Sequence, residues 1–151
     1  MTLDTLITVL GRNTSSNVHK VMWLLAEINR GCERIDVGGK YGGKKGGSYL
    51  GKNPNGVVPT VIHGDIVIWE SNTILRYLAN VFRLSELYPN GHAERANVER
   101  WMDWQLSSFG PANVLLYQSI VRTPIAERNE DVIEQHRARN ATHLAIRANA
   151  F

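Results

Sequence analysis

Between Leu6 and Phe82, apolar runs of strand length alternate with stretches of helical periodicity, an order that restricts this part of the chain to a small sheet covered by helices. Residues 6–10 read as a short buried strand. The polar cluster of residues 13–17 suits a turn and a helix cap. Val18, Val21, Met22, Leu24, Leu25 and Ile28 then recur at helical spacing, which predicts a helix over residues 17–29, ended by Gly31. Residues 33–37 form a second, partly polar strand. Asn53-Pro54-Asn55-Gly56 is a turn signal, residues 57–62 a third strand interrupted by Pro59, and Gly64-Asp65 a tight reversal into a fourth strand, Ile66–Trp69. Proline is tolerated in a strand at its start, or where a cis peptide turns the backbone. Ser71 is expected to cap a helix carrying Ile74, Leu75, Leu78, Ala79 and Phe82. The order β-α-β, loop, β-β-α defines an α/β domain.

Residues 38–51 contain seven glycines, hold at most one helical turn and read as a flexible surface segment. They carry no GxxxxGK[ST] pattern, which argues against a phosphate-cradling loop. Tyr88-Pro89-Asn90-Gly91 marks a linker, and from His92 onward the pattern is helical only. Val98, Trp101, Met102, Gln105 and Leu106 share one stripe, followed by Phe109, Leu115 and Tyr117. Pro111 is expected to kink this long helix rather than end it. Thr123-Pro124 breaks it, and residues 125–150 hold one more, weakly amphipathic helix. The organisation expected is one domain over residues 1–86 and a helical one over 87–151.

With 43% hydrophobic and 21% charged residues, the composition is that of a globular protein. The net charge of +3 is scattered over Lys40, Lys44, Lys45 and Lys52 and over Arg137, Arg139 and Arg147. It lacks the clustering with aromatic neighbours that marks a nucleic-acid surface. One cysteine, Cys32, allows neither an internal disulfide nor a CxxC pair, and it reads as a small core residue. The five histidines lack metal-ligand spacing, so no metal is expected. No run approaches the roughly 20 apolar residues that cross a bilayer, and residues 1–4 show no secretory signal. A soluble cytoplasmic protein without membrane contact is expected.

Three places could carry chemistry. The first is Thr14, Ser15, Ser16 and Asn17 at a helix start. A serine there is either a cap, contributing about 1 kcal/mol, or a hydroxyl beside an anion-attracting helix end. Lowering a thiol pKa by about two units takes about 2.7 kcal/mol. One charge-assisted hydrogen bond supplies about 1.5–3 kcal/mol and the helix dipole about 0.3–1 kcal/mol. One hydroxyl is therefore enough to hold a thiolate without a general base. The second place is Glu70-Ser71. Ser71 is either a cap or, with the N–H groups behind it, a holder of a ligand carboxylate, leaving Glu70 for an ammonium. The third is Val58-Pro59, which either ends a turn or, with a cis bond, presents the Val58 N–H and C=O to an extended peptide. A thiolate site, a strand-like docker and a carboxylate–ammonium clamp together match a short acidic peptide carrying a thiol.

Four stretches resemble the cytosolic glutathione transferases, in the serine-type branch of bacterial and theta-like members. They are Gly11-Arg12-Asn13-Thr14-Ser15-Ser16-Asn17-Val18, Asn53-Pro54-Asn55-Gly56-Val57-Val58-Pro59-Thr60, Ile68-Trp69-Glu70-Ser71-Asn72-Thr73-Ile74 with Tyr77-Leu78, and Trp101-Met102-Asp103-Trp104. The resemblance implies a thioredoxin-like N-terminal domain followed by an all-α domain that is incomplete here, the chain resembling a C-terminally truncated member. It implies that Ser15, with Ser16 and Asn17 as neighbours one and two residues on, stabilises the glutathione thiolate. It further implies that Pro59 is cis with Val58 bonding the cysteinyl backbone, and that Glu70 and Ser71 hold the γ-glutamyl end. Lys52 and Asn55, with Lys44 and Lys45, are the candidates for the glycyl carboxylate. Gly56 stands where some serine-type members carry histidine. The implied activity is transfer of glutathione, a co-substrate with no further cofactor, to small electrophiles by a homodimer. The alternatives are a glutathione-dependent disulfide reductase and a non-catalytic glutathione-binding fragment. Trp101, Met102, Leu106 and Tyr117 are expected to leave an apolar patch, and Leu106, Phe109 and Tyr117 to lie near the electrophile.

Overall fold

Four strands, β1 (Ile7–Leu10), β2 (Glu33–Ile35), β3 (Thr60–His63) and β4 (Ile66–Trp69), form one sheet in the order β2-β1-β3-β4. They belong to a computed structural model that describes residues 5–148 and 150. β1 runs parallel to β2 and antiparallel to β3, and β3 and β4 form the expected hairpin. Val9 lies opposite Val61, and Val61 opposite Ile68. With a side-chain period of two, that register puts all three on one face. Helices α1 (Ser16–Glu27) and α3 (Ser71–Val81) flank the sheet, and between them in sequence lies a single helical turn, α2 (Gly47–Leu50). Ile7, Val9, Val18, Val21, Leu25, Val61, Ile74 and Leu78 form the core. Each such side chain contributes about 1.5–3 kcal/mol over an exposed one.

Several expectations are corrected. Asn29, not Gly31, stops α1: Asn29 adopts φ 51°, its N–H donates to Ala26 O at 2.9 Å, and the Arg30 N–H donates to Leu25 O at 2.8 Å. These bonds cap the last free carbonyls of the helix. Arg83, at φ 54°, plays the same part after α3. The third strand begins at Thr60 rather than residue 57, because Pro59 has no N–H to give the ladder and the Val58–Pro59 bond is cis, as expected. Residues 38–51 contain a 3-10 turn, Gly39–Tyr41, as well as α2, so the expectation of at most one helical turn fails. Nor is this segment loosely attached, since Tyr49 and, just beyond it, Asn53 are buried.

The chain divides into two compact units, Met1–Asn90 and Gly91–Phe151. The second is helical among its described residues: α4 (His92–Trp104), α5 (Gly110–Tyr117) and α6 (Glu130–Ala148). The helical path runs on through Pro111 rather than ending there, as expected, and a wider π turn precedes it over Gln105–Phe109, where the Gly110 N–H donates to Gln105 O. A second π turn, Gln118–Arg122, precedes the break at Thr123-Pro124. Trp104 stacks on Phe109 at 5.6 Å, and Asn140, buried in α6, donates to Ala112 O at 2.9 Å. Of the four residues expected to leave an apolar patch, Leu106 and Tyr117 are exposed, whereas Trp101 and Met102 are half-buried. No helix of the described residues is long and apolar enough to cross a membrane.

Candidate functional site

The end of β1, the start of α1, the segment leading into β3 and the start of α3 meet at one end of the sheet. Gly11 fixes the first of these junctions. A Cβ placed there would lie 2.5 Å from Val18 Cγ2 on α1 and 3.3 Å from Val58 Cβ, so only glycine lets the three segments approach this closely. Arg34 from β2 donates to Gly11 O at 2.9 Å and pairs with Asp36. The Arg34 guanidinium, with the Asn13 N–H, holds the Asp36 carboxyl below its ordinary range.

Ser15 stands at the N-cap position of α1 and is buried. It makes no capping hydrogen bond, and its hydroxyl has no partner among the described residues. Ser16 and Asn17 follow on the first turn, exposed. The Ser71 hydroxyl, on the first turn of α3, donates to Asn17 Oδ1 at 3.4 Å. Lys20, one turn into α1, donates to Asn72 Oδ1 at 2.9 Å. Burial lowers the pKa of Lys20, against the opposing charge of Glu70. Both helix N-termini therefore face one place, with Ser15, Asn17, Glu70 and Ser71 around it. The cap of α3 is Glu70 rather than Ser71. At φ 70° and ψ 112° Glu70 holds a backbone conformation that costs about 1–3 kcal/mol. Strain of this kind is characteristic of places where a side chain must be aimed.

Val58, half-buried, has neither its N–H nor its C=O engaged among the described residues. The preceding carbonyl, Val57 O, accepts from the Tyr49 hydroxyl at 2.6 Å and from Asn53 Nδ2 at 2.8 Å. Thr60 Oγ1 lies 2.9 Å from the Tyr49 oxygen and 3.1 Å from Asn53 Nδ2. The protons fit one arrangement: Tyr49 and Asn53 donate to Val57 O, Asn53 also donates to Thr60, and Thr60 donates to Tyr49. This buried network ties down the backbone next to Val58 and leaves the edge of Val58 itself unpaired. Sequence reasoning missed it, because only the turn signal of residues 53–56 was visible.

The candidates for a second carboxylate are less focused. Lys52 is half-buried and donates to Ser48 O at 3.0 Å within its own loop, and Asn55 is exposed with its N–H on Asn53 Oδ1. Lys44 passes beside Gly56, and Lys45 is exposed. Arg12, which sequence reasoning did not single out, packs over Gly38 and Gly39. Its place directly after Gly11 was the only available signal. At the opposite end of the sheet, Cys32 lines a shallow groove with Thr5, Asn29 and Arg30. Burial pushes the Cys32 thiol pKa up against the charge of Arg34, and its Sγ lies 3.9 Å from Met22 Sδ, as suits a packing residue. Among the described residues no group of three or more His, Cys, Asp or Glu could hold a metal ion.

Comparison with known proteins agrees with this architecture. The family described as "Glutathione S-transferase, N-terminal domain" matches residues 6–80. Glutathione S-transferase GstB of Escherichia coli K12 is 38% identical over 131 residues, covering 85% of this chain and 63% of that protein. Glutathione S-transferase 3 of Zea mays is 32% identical over 141 residues, 90% of this chain and 63% of its own. The chain thus spans less than two thirds of the length of these relatives. A crystal structure of the theta class glutathione S-transferase of Xanthomonas axonopodis pv. citri, with glutathione bound, superposes with a TM-score of 0.89 at 44% identity. That superposition covers 97% of this chain and 70% of the other. A thioredoxin-like sheet with these motifs, matched at this identity over this much of a solved relative, establishes that the chain belongs to the glutathione S-transferase family.

Proposed function

We propose that the chain binds glutathione where α1 and α3 begin and transfers it to small electrophiles. The cysteinyl backbone of the tripeptide pairs with the free N–H and C=O of Val58, as an added strand would, beside the cis Pro59. The γ-glutamyl carboxylate meets Ser71 and the first N–H groups of α3, and Glu70 meets its ammonium. The sulfur then lies by Ser15, whose hydroxyl donates to the thiolate, with Ser16 and Asn17 as its neighbours. Lys52 and Asn55 stand on the side of the glycyl carboxylate. No metal and no cofactor beyond glutathione enter this reading.

The observation that carries it is the set of unspent hydrogen-bonding groups: the hydroxyl of Ser15 and both backbone groups of Val58, close to Ser71 through Gly11, Val18 and Asn17. A donor fixed before the thiolate forms needs no rearrangement when charge develops, and holding both reactants in place lowers the barrier further. All these groups lie within residues 1–86, the proposed glutathione-binding domain, with residues 87–151 as the helical one. A cytoplasmic homodimer is the proposed working form.

The test is a conjugation assay with a neutral aryl chloride, run beside a thermal melt with and without glutathione. Turnover with an upward shift in Tm supports transfer. A shift without turnover assigns binding alone, and turnover only of a small mixed disulfide assigns disulfide reduction. No shift and no turnover would remove the proposal.

A further inference from the structure

The charge around this site is out of balance. Residues 37–64 contain Lys40, Lys44, Lys45 and Lys52 and not one Asp or Glu. Arg12 sits among them, half-buried. Its Cδ lies 2.8 Å from where a Cβ of Gly39 would stand, so the side chain is held under a glycine whose φ is +59°. Its Nη1 lies 3.3 Å from the equivalent point at Gly38, and Val58 Cγ1 lies 3.6 Å from that same point. The guanidinium and the Val58 side chain therefore both border the same point at Gly38. Asp36, on the strand end that Arg12's own N–H bonds through Val37 O, is committed to Arg34 and to the Asn13 N–H. No carboxylate of a described residue pairs with Arg12. A partly desolvated guanidinium with no counter-ion is a binding group for an anion.

Glutathione does not use up this charge. Of its two carboxylates, the reading above sends one to Ser71 and leaves the other to Lys52 and Asn55, whereas Arg12, whose carbonyl accepts from the Ser15 N–H at 3.3 Å, stands on the segment that carries the thiolate ligand. We propose that Arg12 recognises a negative charge on the electrophile, so that the preferred acceptor is an aromatic halide or similar electrophile carrying a carboxylate or sulfonate. This rests on the proposed glutathione site. In the step it serves, the thiol gives its proton to water and the thiolate sulfur forms a bond to the ring carbon. The carbon–chlorine bond then breaks and chloride leaves with the electron pair. Arg12 touches none of these atoms; it holds the ring by its distant charge.

Calorimetric titration of the full chain measures this without turnover. The ligands are glutathione, S-(para-carboxy-ortho-nitrophenyl)glutathione and the matched neutral carbamoyl conjugate. The charged conjugate is expected to bind about tenfold tighter than the neutral one, the scale of one charge-assisted contact. Arg12→Gln is expected to bring that ratio close to one, and Arg12→Lys, which keeps the charge, to retain part of it. Equal affinities in the parent chain overturn the proposal. So does a Gln variant that weakens glutathione and both conjugates alike, because Arg12 would then hold the tripeptide itself. Failure of all three ligands to bind is the separate failure of the glutathione site.

Discussion

Ser15→Ala separates a helix cap from a thiolate ligand. A serine capping a helix through its side chain contributes about 1 kcal/mol, but Ser15 holds the N-cap position of α1 without that bond, and its hydroxyl has no partner among the described residues. The variant loses a hydroxyl that bonds nothing in the protein, so it should unfold within about 0.5 kcal/mol of the parent. A charge-assisted hydrogen bond to a thiolate contributes about 1.5–3 kcal/mol. One pKa unit corresponds to about 1.4 kcal/mol. The thiol of bound glutathione should therefore rise by about one to two pKa units, and conjugation near neutral pH should slow by about 10- to 100-fold. The assay is a pH titration of thiolate ultraviolet absorbance in the complex, paired with denaturant unfolding of both proteins. A variant that loses about 1 kcal/mol of stability while the thiol titrates as before would make Ser15 a cap and refute the reasoning.

Three further outcomes follow from the packing. Gly11→Ala puts a methyl 2.5 Å from Val18 Cγ2, so it should cost about 1–3 kcal/mol in denaturant unfolding and weaken glutathione binding by displacing Val58; unchanged affinity would detach Val58 from the site. Tyr49→Phe removes one bond to Val57 O and the acceptor of the Thr60 hydroxyl, with an expected loss of about 0.5–1.5 kcal/mol and a raised KM for glutathione. His63 is fully buried against Tyr77 and Phe82, and burial, aided by Arg30, lowers its pKa below the ordinary 6.5. The unfolded chain therefore takes up this proton first, so stability holds above about pH 6.5 and falls below it by at most about 1.4 kcal/mol per pH unit. His63→Gln should remove that part of the slope, measured by unfolding at about pH 7.5 and 5.5.

Much of the first unit was legible because its signals are local. Gly64-Asp65 between two β-branched runs can only reverse the chain, and Pro59 inside such a run can only end a ladder. The end of α1 was misread because Asn29 took the left-handed cap position that glycine usually fills, while Gly31 lay two residues too late. The anchoring of Val57 was invisible, since a tyrosine, an asparagine and a threonine in a glycine-rich stretch have no periodicity to betray that they meet. Which residue caps α3 turned on the unusual backbone of Glu70, a feature no propensity scale encodes. In the second unit a proline marked an irregularity correctly, but the π turn before it, closed by the Gly110 N–H on Gln105 O, has no counterpart in apolar periodicity. Arg12 was overlooked because its meaning lies in what surrounds it: a loop without a single acid.

The most direct measurement is a glutathione titration followed through the backbone amide resonances of the whole chain. If one tripeptide bridges the two helix starts and the free strand edge, the amides of Ser15, Ser16, Val58 and Ser71 should move together along one binding curve. Amides around Cys32 and Arg30, at the far end of the sheet, should stay in place. Movement of the α3 amides without those of Val58 and Ser15, or separate curves for the three segments, would contradict a single site.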